Sequence, residues 1–282
     1  MLRALPLATL PALIAGLALG LNTAASAQNT TEAGLPLWEI GVFAGTVTTP
    51  AYPASIERSG LAAVLPVVIY RGEVFRAERG NVGARLVHTE DTEFDIGFAA
   101  SLPASSNDIA ARKDMPDLGT LVEFGPRLKT ILARPSASSE VRLEFPLRSV
   151  LELRNGVRSQ GWAAEPEVIW ETRAPGSAWR FSTGASLIWG DARLNRYFYS
   201  VPAEYATAAR PAYEAGSGLI AARLSLSASR ALSPDVRVFG FLRGESYAGN
   251  ANTASPLHLR TTGTSAGIGI NWTLGRSEAR AR

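Results

Sequence analysis

The sequence predicts an all-β fold: a closed antiparallel transmembrane β-barrel of about twelve strands, with ten as the smaller alternative. Three observations carry this reading. Apolar and polar residues alternate with a period of two from end to end. The connections sort by length onto alternate ends. The tryptophans gather at strand ends.

The alternation is clearest where Val141, Leu143, Phe145 and Leu147 face away from Glu140, Arg142, Glu144 and Arg148. It recurs with Trp162, Ala164, Pro166, Val168 and Trp170 against Glu165, Glu167 and Glu171, and with Ala266, Ile268, Ile270, Trp272 and Leu274 against Gly267, Gly269, Asn271 and Thr273. Side chains on a strand point alternately to opposite faces, so each run has one apolar and one polar face; helical spacing does not produce this. The predicted strands are 38–48, 62–70, 73–78, 81–88, 94–101, 120–132, 140–153, 161–173, 178–189, 218–230, 235–246 and 262–274. Gly125-Pro126 inside one of them predicts a bulge or a local break, because proline lacks the ladder donor.

Turn-forming residues mark short connections at Arg71-Gly72, Glu90-Asp91-Thr92, Ala174-Pro175-Gly176 and Ser233-Pro234-Asp235. Long connections fall near 49–61, 102–119, 190–217 and 247–261. Counted in order, the long ones share one parity. That is the pattern of an outer-membrane barrel, with short periplasmic turns and longer extracellular loops. Trp38, Trp162, Trp170, Trp179, Trp189 and Trp272 lie where indole rings would form interfacial girdles.

The first residues set the compartment. Arg3, an apolar run over 11–21 and Ala25-Ser26-Ala27 before Gln28 read as a secretory signal peptide over 1–27. The run is shorter than the roughly 20 residues of a spanning helix. The remainder of the chain, 28–282, reads as one barrel domain with a short polar tail at 275–282, exported to the outer membrane and in contact with its lipid. The chain has no cysteine, which excludes a lipoprotein, a disulfide framework and a thiolate metal site. Net charge is +3, and the arginines are scattered, so nucleic acid is not an expected partner.

In a membrane barrel the polar faces fill the lumen. Glu123, Arg127 and Lys129, then Arg142, Glu144 and Arg148, then Glu165, Glu167 and Glu171 are the candidate lumen charges. Their mixed sign predicts a compensated network and argues against strong selectivity for cations or for anions. Glu144→Leu is on this reading a mild change beside Leu143→Arg, which puts a charge into lipid. Tyr197, Tyr199, Tyr205 and Tyr213 lie in the longest connection, either folding it over the barrel mouth or offering a recognition surface.

No catalytic, metal or cofactor pattern emerges. His88 and His258 carry no recognisable signature. Glu165 and Glu167 share a strand face, but close carboxylates in a wet lumen need no catalytic role. Gly267 and Gly269 alternate on a strand and do not open a helix. The expectation is a protein that is not an enzyme.

Several stretches resemble the MltA-interacting protein / OmpV family of outer-membrane barrels. They are Met115-Pro116-Asp117-Leu118 with Glu123-Phe124-Gly125-Pro126-Arg127-Leu128, Asn195-Arg196-Tyr197-Phe198-Tyr199-Ser200-Val201 with Pro211 to Gly218, and Leu65 to Gly72 leading to Val74-Phe75. The resemblance implies a non-enzymatic scaffold that brings a periplasmic lytic transglycosylase, a murein hydrolase, to a peptidoglycan synthase. Other members are porin-like, so a diffusion channel for small solutes stays open. For a scaffold, the 133–139 turn and the 275–282 tail are the expected contact points. The tail also departs from the common barrel pattern of an aromatic terminal residue.

Overall fold

Alternation becomes a wall of two-faced strands. The structure, a computed structural model, describes residues 34–72, 75–78, 81–174 and 176–281; the expected signal peptide lies outside them, as does Pro175. The strands are β1 (Trp38–Pro50), β2 (Arg58–Arg71), β3 (Phe75–Glu78), β4 (Asn81–His88), β5 (Thr92–Ser101), β6 (Thr120–Ser136) and β7 (Ser139–Leu153). They continue as β8 (Val157–Ala164), β9 (Glu167–Arg173), β10 (Trp179–Gly190), β11 (Gly218–Ala231), β12 (Val236–Ser246) and β13 (Thr262–Arg276).

β8 and β9 are two halves of one wall strand. Against β7, Leu147 pairs with Ala164 and Glu144 with Glu167, in one unbroken register; against β10, Gly190 pairs with Ala163 and Ser186 with Glu167, again without a shift. Pro166 interrupts the ladder because it has no N–H to give. Its carbonyl still accepts from the Leu187 amide at 3.2 Å. The wall therefore has twelve strands, the larger of the two expected counts. β13 pairs with β12 on one side and β1 on the other, and β10 with β11, so the strand order closes into a ring, with β2 joined to β3 only at Tyr70↔Ala77 and Arg71↔Arg76 among the described residues.

The break at Gly125-Pro126 is local and without a bulge. The β6–β7 ladder passes from Phe124↔Ser149 to Arg127↔Pro146 in register, and the β5 side stays paired through Gly97↔Gly125. Any side chain at Gly125 would run into the Leu147 carbonyl oxygen.

The apolar face points outward. Val64, Phe98, Phe145, Leu147, Val168, Phe181, Leu224, Leu242 and Ile268 are all exposed, while Glu140, Arg142, Glu144, Glu167 and Glu171 are buried within the ring. Such a belt exceeds what a protein shows to water. It fits hydrocarbon, and with the closed ring it makes this a transmembrane barrel of the outer-membrane type. Trp38, Trp170, Trp179 and Trp272 sit toward the end of the wall where the chain enters and leaves, and Trp162 and Trp189 toward the other, as two girdles.

The long connections 51–57, 102–119, 191–217 and 247–261 all leave the same end. The other end carries short turns. There the tail is not a free extension. Leu37 N donates to Ala279 O and Ala281 N to Leu35 O, each at 2.8 Å, so 34–37 and 277–281 clasp each other below the β1–β13 seam.

Phe145 stands near the middle of β7, 46% exposed. Phe145→Arg should destabilise the barrel in lipid vesicles by about 2–4 kcal/mol, read from denaturant unfolding of the inserted protein.

Candidate functional site

The lumen is the candidate site, and its floor plan follows from strand register. Inward positions on β5, β6, β7, the β8–β9 strand, β11 and β12 carry the charges; register sets Glu93 opposite Lys129, Asp95 opposite Arg127 and Arg223 opposite Glu245, while β7 and β9 set Glu144 opposite Glu167. They form two chains of alternating charge. In the upper chain Arg148 reaches Glu123 at 2.8 Å and Glu165 at 3.1 Å; Arg223 reaches Glu165 and Glu245, each at 2.6 Å. In the lower chain Lys129 holds Glu93 at 2.8 Å and Asp95 at 2.9 Å, Arg127 lies 2.8 Å from Asp95 and 3.6 Å from Glu144, and Arg142 contacts Glu144 at 2.8 Å as well as Glu171. Of the predicted lumen charges, only Glu167 joins neither chain.

This arrangement corrects the expectation that Glu144→Leu is mild. Glu144 is buried between two guanidinium groups, and a buried charge stripped of its partner costs far more than an exposed one.

The long loops close the outer end as a lid. It packs on two apolar clusters, one of Tyr52, Ala104, Ile109, Met115, Leu118, Val201 and Leu257, the other joining Ala54, Leu194 and Tyr247 to the top of the wall. Helix α1 (Ala192–Tyr199) begins on Asp191, whose side chain accepts from the Leu194 amide. Three asparagines tie the loops together. Asn195 Nδ2 donates to Gly190 O at 2.9 Å, Asn252 Nδ2 to Asn195 Oδ1 at 2.9 Å, and Asn250 Nδ2 to Tyr199 OH at 2.8 Å. All three are buried. Arg112 Nη1 donates to Phe198 O at 3.2 Å, and burial lowers the pKa of that guanidinium.

The long-loop tyrosines serve this closure. Tyr199 is wholly buried, so it offers no surface. Tyr197 OH donates to Glu152 Oε1 at 3.1 Å, and Tyr213 OH to Asn252 Oδ1 at 3.2 Å. Tyr205 gives its carbonyl to Arg210 Nη2 at 2.7 Å. The sequence pattern does not single out Asn195, Asn250, Asn252 or Arg112. Their roles depend on loops that meet only in space. Burial raises the phenol pKa of Tyr52, Tyr197 and Tyr199, the Glu152 carboxylate adding to the effect at Tyr197.

His258 belongs to the lid, with Nε2 3.1 Å from Tyr247 O and its ring against Tyr199. His88 ends β4. Among the described residues there is no group of three or more His, Cys, Asp or Glu that could hold a metal ion.

At the opposite rim, residues 132–137 of the β6–β7 hairpin extend beyond β5, whose pairing ends at Thr92↔Thr130. This tip is exposed, with Arg134 2.7 Å from Asp91.

Residues 42–274 match the family model described as MltA-interacting protein MipA. No curated protein sequence matches the chain. Among solved structures, an outer membrane channel from Pseudomonas putida F1 is similar at 10% identity with a TM-score of 0.43, over 88% of this chain and 100% of that one. Outer membrane phospholipase A from Escherichia coli is similar at 10% identity with a TM-score of 0.33, over 83% and 92%. The barrel assignment here rests on the chain's own pairing.

Glu144→Leu should destabilise the barrel by about 3–5 kcal/mol in denaturant unfolding, no less than Phe145→Arg. The buried phenols contribute lid stability that is whole below the unfolded tyrosine pKa of about 10 and is lost as pH rises through their higher folded values. A titration followed by tyrosinate absorbance should show a delayed class of phenols, which Asn252→Ala brings forward by loosening the lid.

Proposed function

We propose a role from the premise that the chain belongs to the MltA-interacting protein MipA family: a non-enzymatic, non-conducting barrel that holds periplasmic cell-wall enzymes at the outer membrane. The partners on this reading are a lytic transglycosylase and a peptidoglycan synthase. The observation that supports it most is the state of the lumen, roofed by an apolar-packed lid and crossed by two chains of ion pairs. A pathway for free diffusion needs neither. With the lumen roofed and crossed by ion pairs, the rims are the surfaces where a protein partner would dock.

On the periplasmic side the contact surface is small. It consists of short turns, the clasp of 34–37 with 277–281, and the β6–β7 tip. A standard interface takes about 800 Å² from each partner, so the tip is the expected anchor because it projects past β5. The porin-like reading keeps one support, the cavity beneath the lid.

Affinity capture of the tagged barrel from mildly solubilised envelopes should recover both enzyme classes. Arg134→Glu at the tip should lower recovery about tenfold or more while the barrel still inserts. Recovery of the barrel alone, with both enzymes present in the input, would remove the scaffold. In planar bilayers the protein should give no stable conductance; steady open-channel current from the intact barrel would favour the channel.

A further inference from the structure

We propose that the chamber beneath the lid binds a small amine–carboxylate zwitterion, an α-amino acid or short peptide, between Glu167 and Arg243. The chamber has a volume of about 280 Å³. At about 30 Å³ for each water it has room for roughly nine, which is the low end for small-molecule sites and suits a ligand of amino-acid or dipeptide size.

Its charge inventory points to what it takes. Glu123, Arg127, Glu144, Arg148, Glu165, Arg223 and Glu245 face the chamber, and each is already in an ion pair. Glu167 and Arg243 face it too and differ. Among the described residues Glu167 has one hydrogen bond, from Ser225 Oγ at 3.2 Å, and no cation within ion-pair distance. Arg243 rests on the Phe241 ring, 4.9 Å from guanidinium to centroid, and has no carboxylate within ion-pair distance. These are the acid and the base of the chamber lining with no ion-pair partner, beside an upper chain of two arginines and three carboxylates.

Register places the two on either side of Ser225. Arg243 pairs with Ser225 across β11–β12, and Ser225 pairs with Gly184 across β10–β11. The Glu167 carboxylate lies over Gly184, where a Cβ would meet it and stand 2.6 Å from Ser225 Oγ. Gly184 therefore makes the room that lets the Glu167 carboxylate lie there, in reach of Ser225 Oγ. Uncompensated charge in a low-dielectric site is costly, and a simple anion or cation would satisfy one group and leave the other. A zwitterion satisfies both and leaves the net charge of the lumen unchanged. Its carboxylate meets the guanidinium fork, which the Phe241 face holds in place, and its ammonium meets Glu167. This inference stands apart from the scaffold reading, since partner capture and ligand binding are read by separate experiments.

Isothermal calorimetry on the full barrel in detergent micelles tests it, with L-alanine and L-alanyl-L-alanine as probes and acetate and methylammonium as their single-charge halves. At least one zwitterion should bind with Kd of about 1 mM or tighter, and the halves about tenfold more weakly or worse. Glu167→Gln and Arg243→Gln should each weaken binding about tenfold. Gly184→Ala should do the same with every charge retained. Heat-dependent gel mobility confirms that each variant is folded. Absence of binding by the intact barrel would overturn the proposal. So would equal binding of acetate with Glu167→Gln silent, which marks a plain anion site, or zwitterion binding that none of the three folded variants weakens.

Discussion

Hydrocarbon offers no hydrogen bonds, and most of this structure answers that one constraint. Each backbone N–H and C=O in the wall has to find its partner in the next strand, so the sheet must close, and it closes where β13 meets β1. Closure in turn decides which side is which. The apolar face goes to lipid and the charged face is forced inward, where the same low dielectric makes an unpaired charge expensive. The ion-pair chains are therefore a consequence of the wall. Arginine suits this interior because one planar fork can serve two carboxylates, as Arg148 does for Glu123 and Glu165, and Arg223 for Glu165 and Glu245.

The lid obeys a different logic. Its loops stand above the hydrocarbon and pack as a small soluble domain would, on an apolar cluster sealed by buried asparagines. The apolar lid packs over the top of the polar lumen. What remains open is a compact chamber lined by both.

The wall was largely legible in the sequence because strand alternation is a local signal. Even Pro166 did not hide its strand, since register runs through it unbroken on both sides. The inward direction of Glu123, Arg142 and Glu165 was legible for the same reason. Which carboxylate meets which guanidinium was not, because that depends on the stagger between neighbouring strands. Glu144 shows the difference: alternation puts it inside, but only pairing reveals that it neutralises both Arg127 and Arg142. Asn195, Asn250 and Asn252 look like ordinary loop residues until the loops meet. The tail at 275–282 reads as a polar appendage until 34–37 is laid beside it.

The charge chains also act as a register lock. A strand that slips by one residue turns its apolar face inward, and hydrocarbon rejects it at once. A slip by two residues escapes that check, because every apolar side chain still faces lipid. The ion pairs do detect it. Moving β7 by two positions against β6 would set Lys129 opposite Arg142 in one direction and Arg127 opposite Arg148 in the other, two cations face to face inside the ring. The upper chain runs across the inner faces of β6, β7, the β8–β9 strand, β11 and β12, with Ser186 of β10 donating to Glu165 on the way. Half of the ring is thus proofread for even-numbered errors that the apolar pattern alone would let pass.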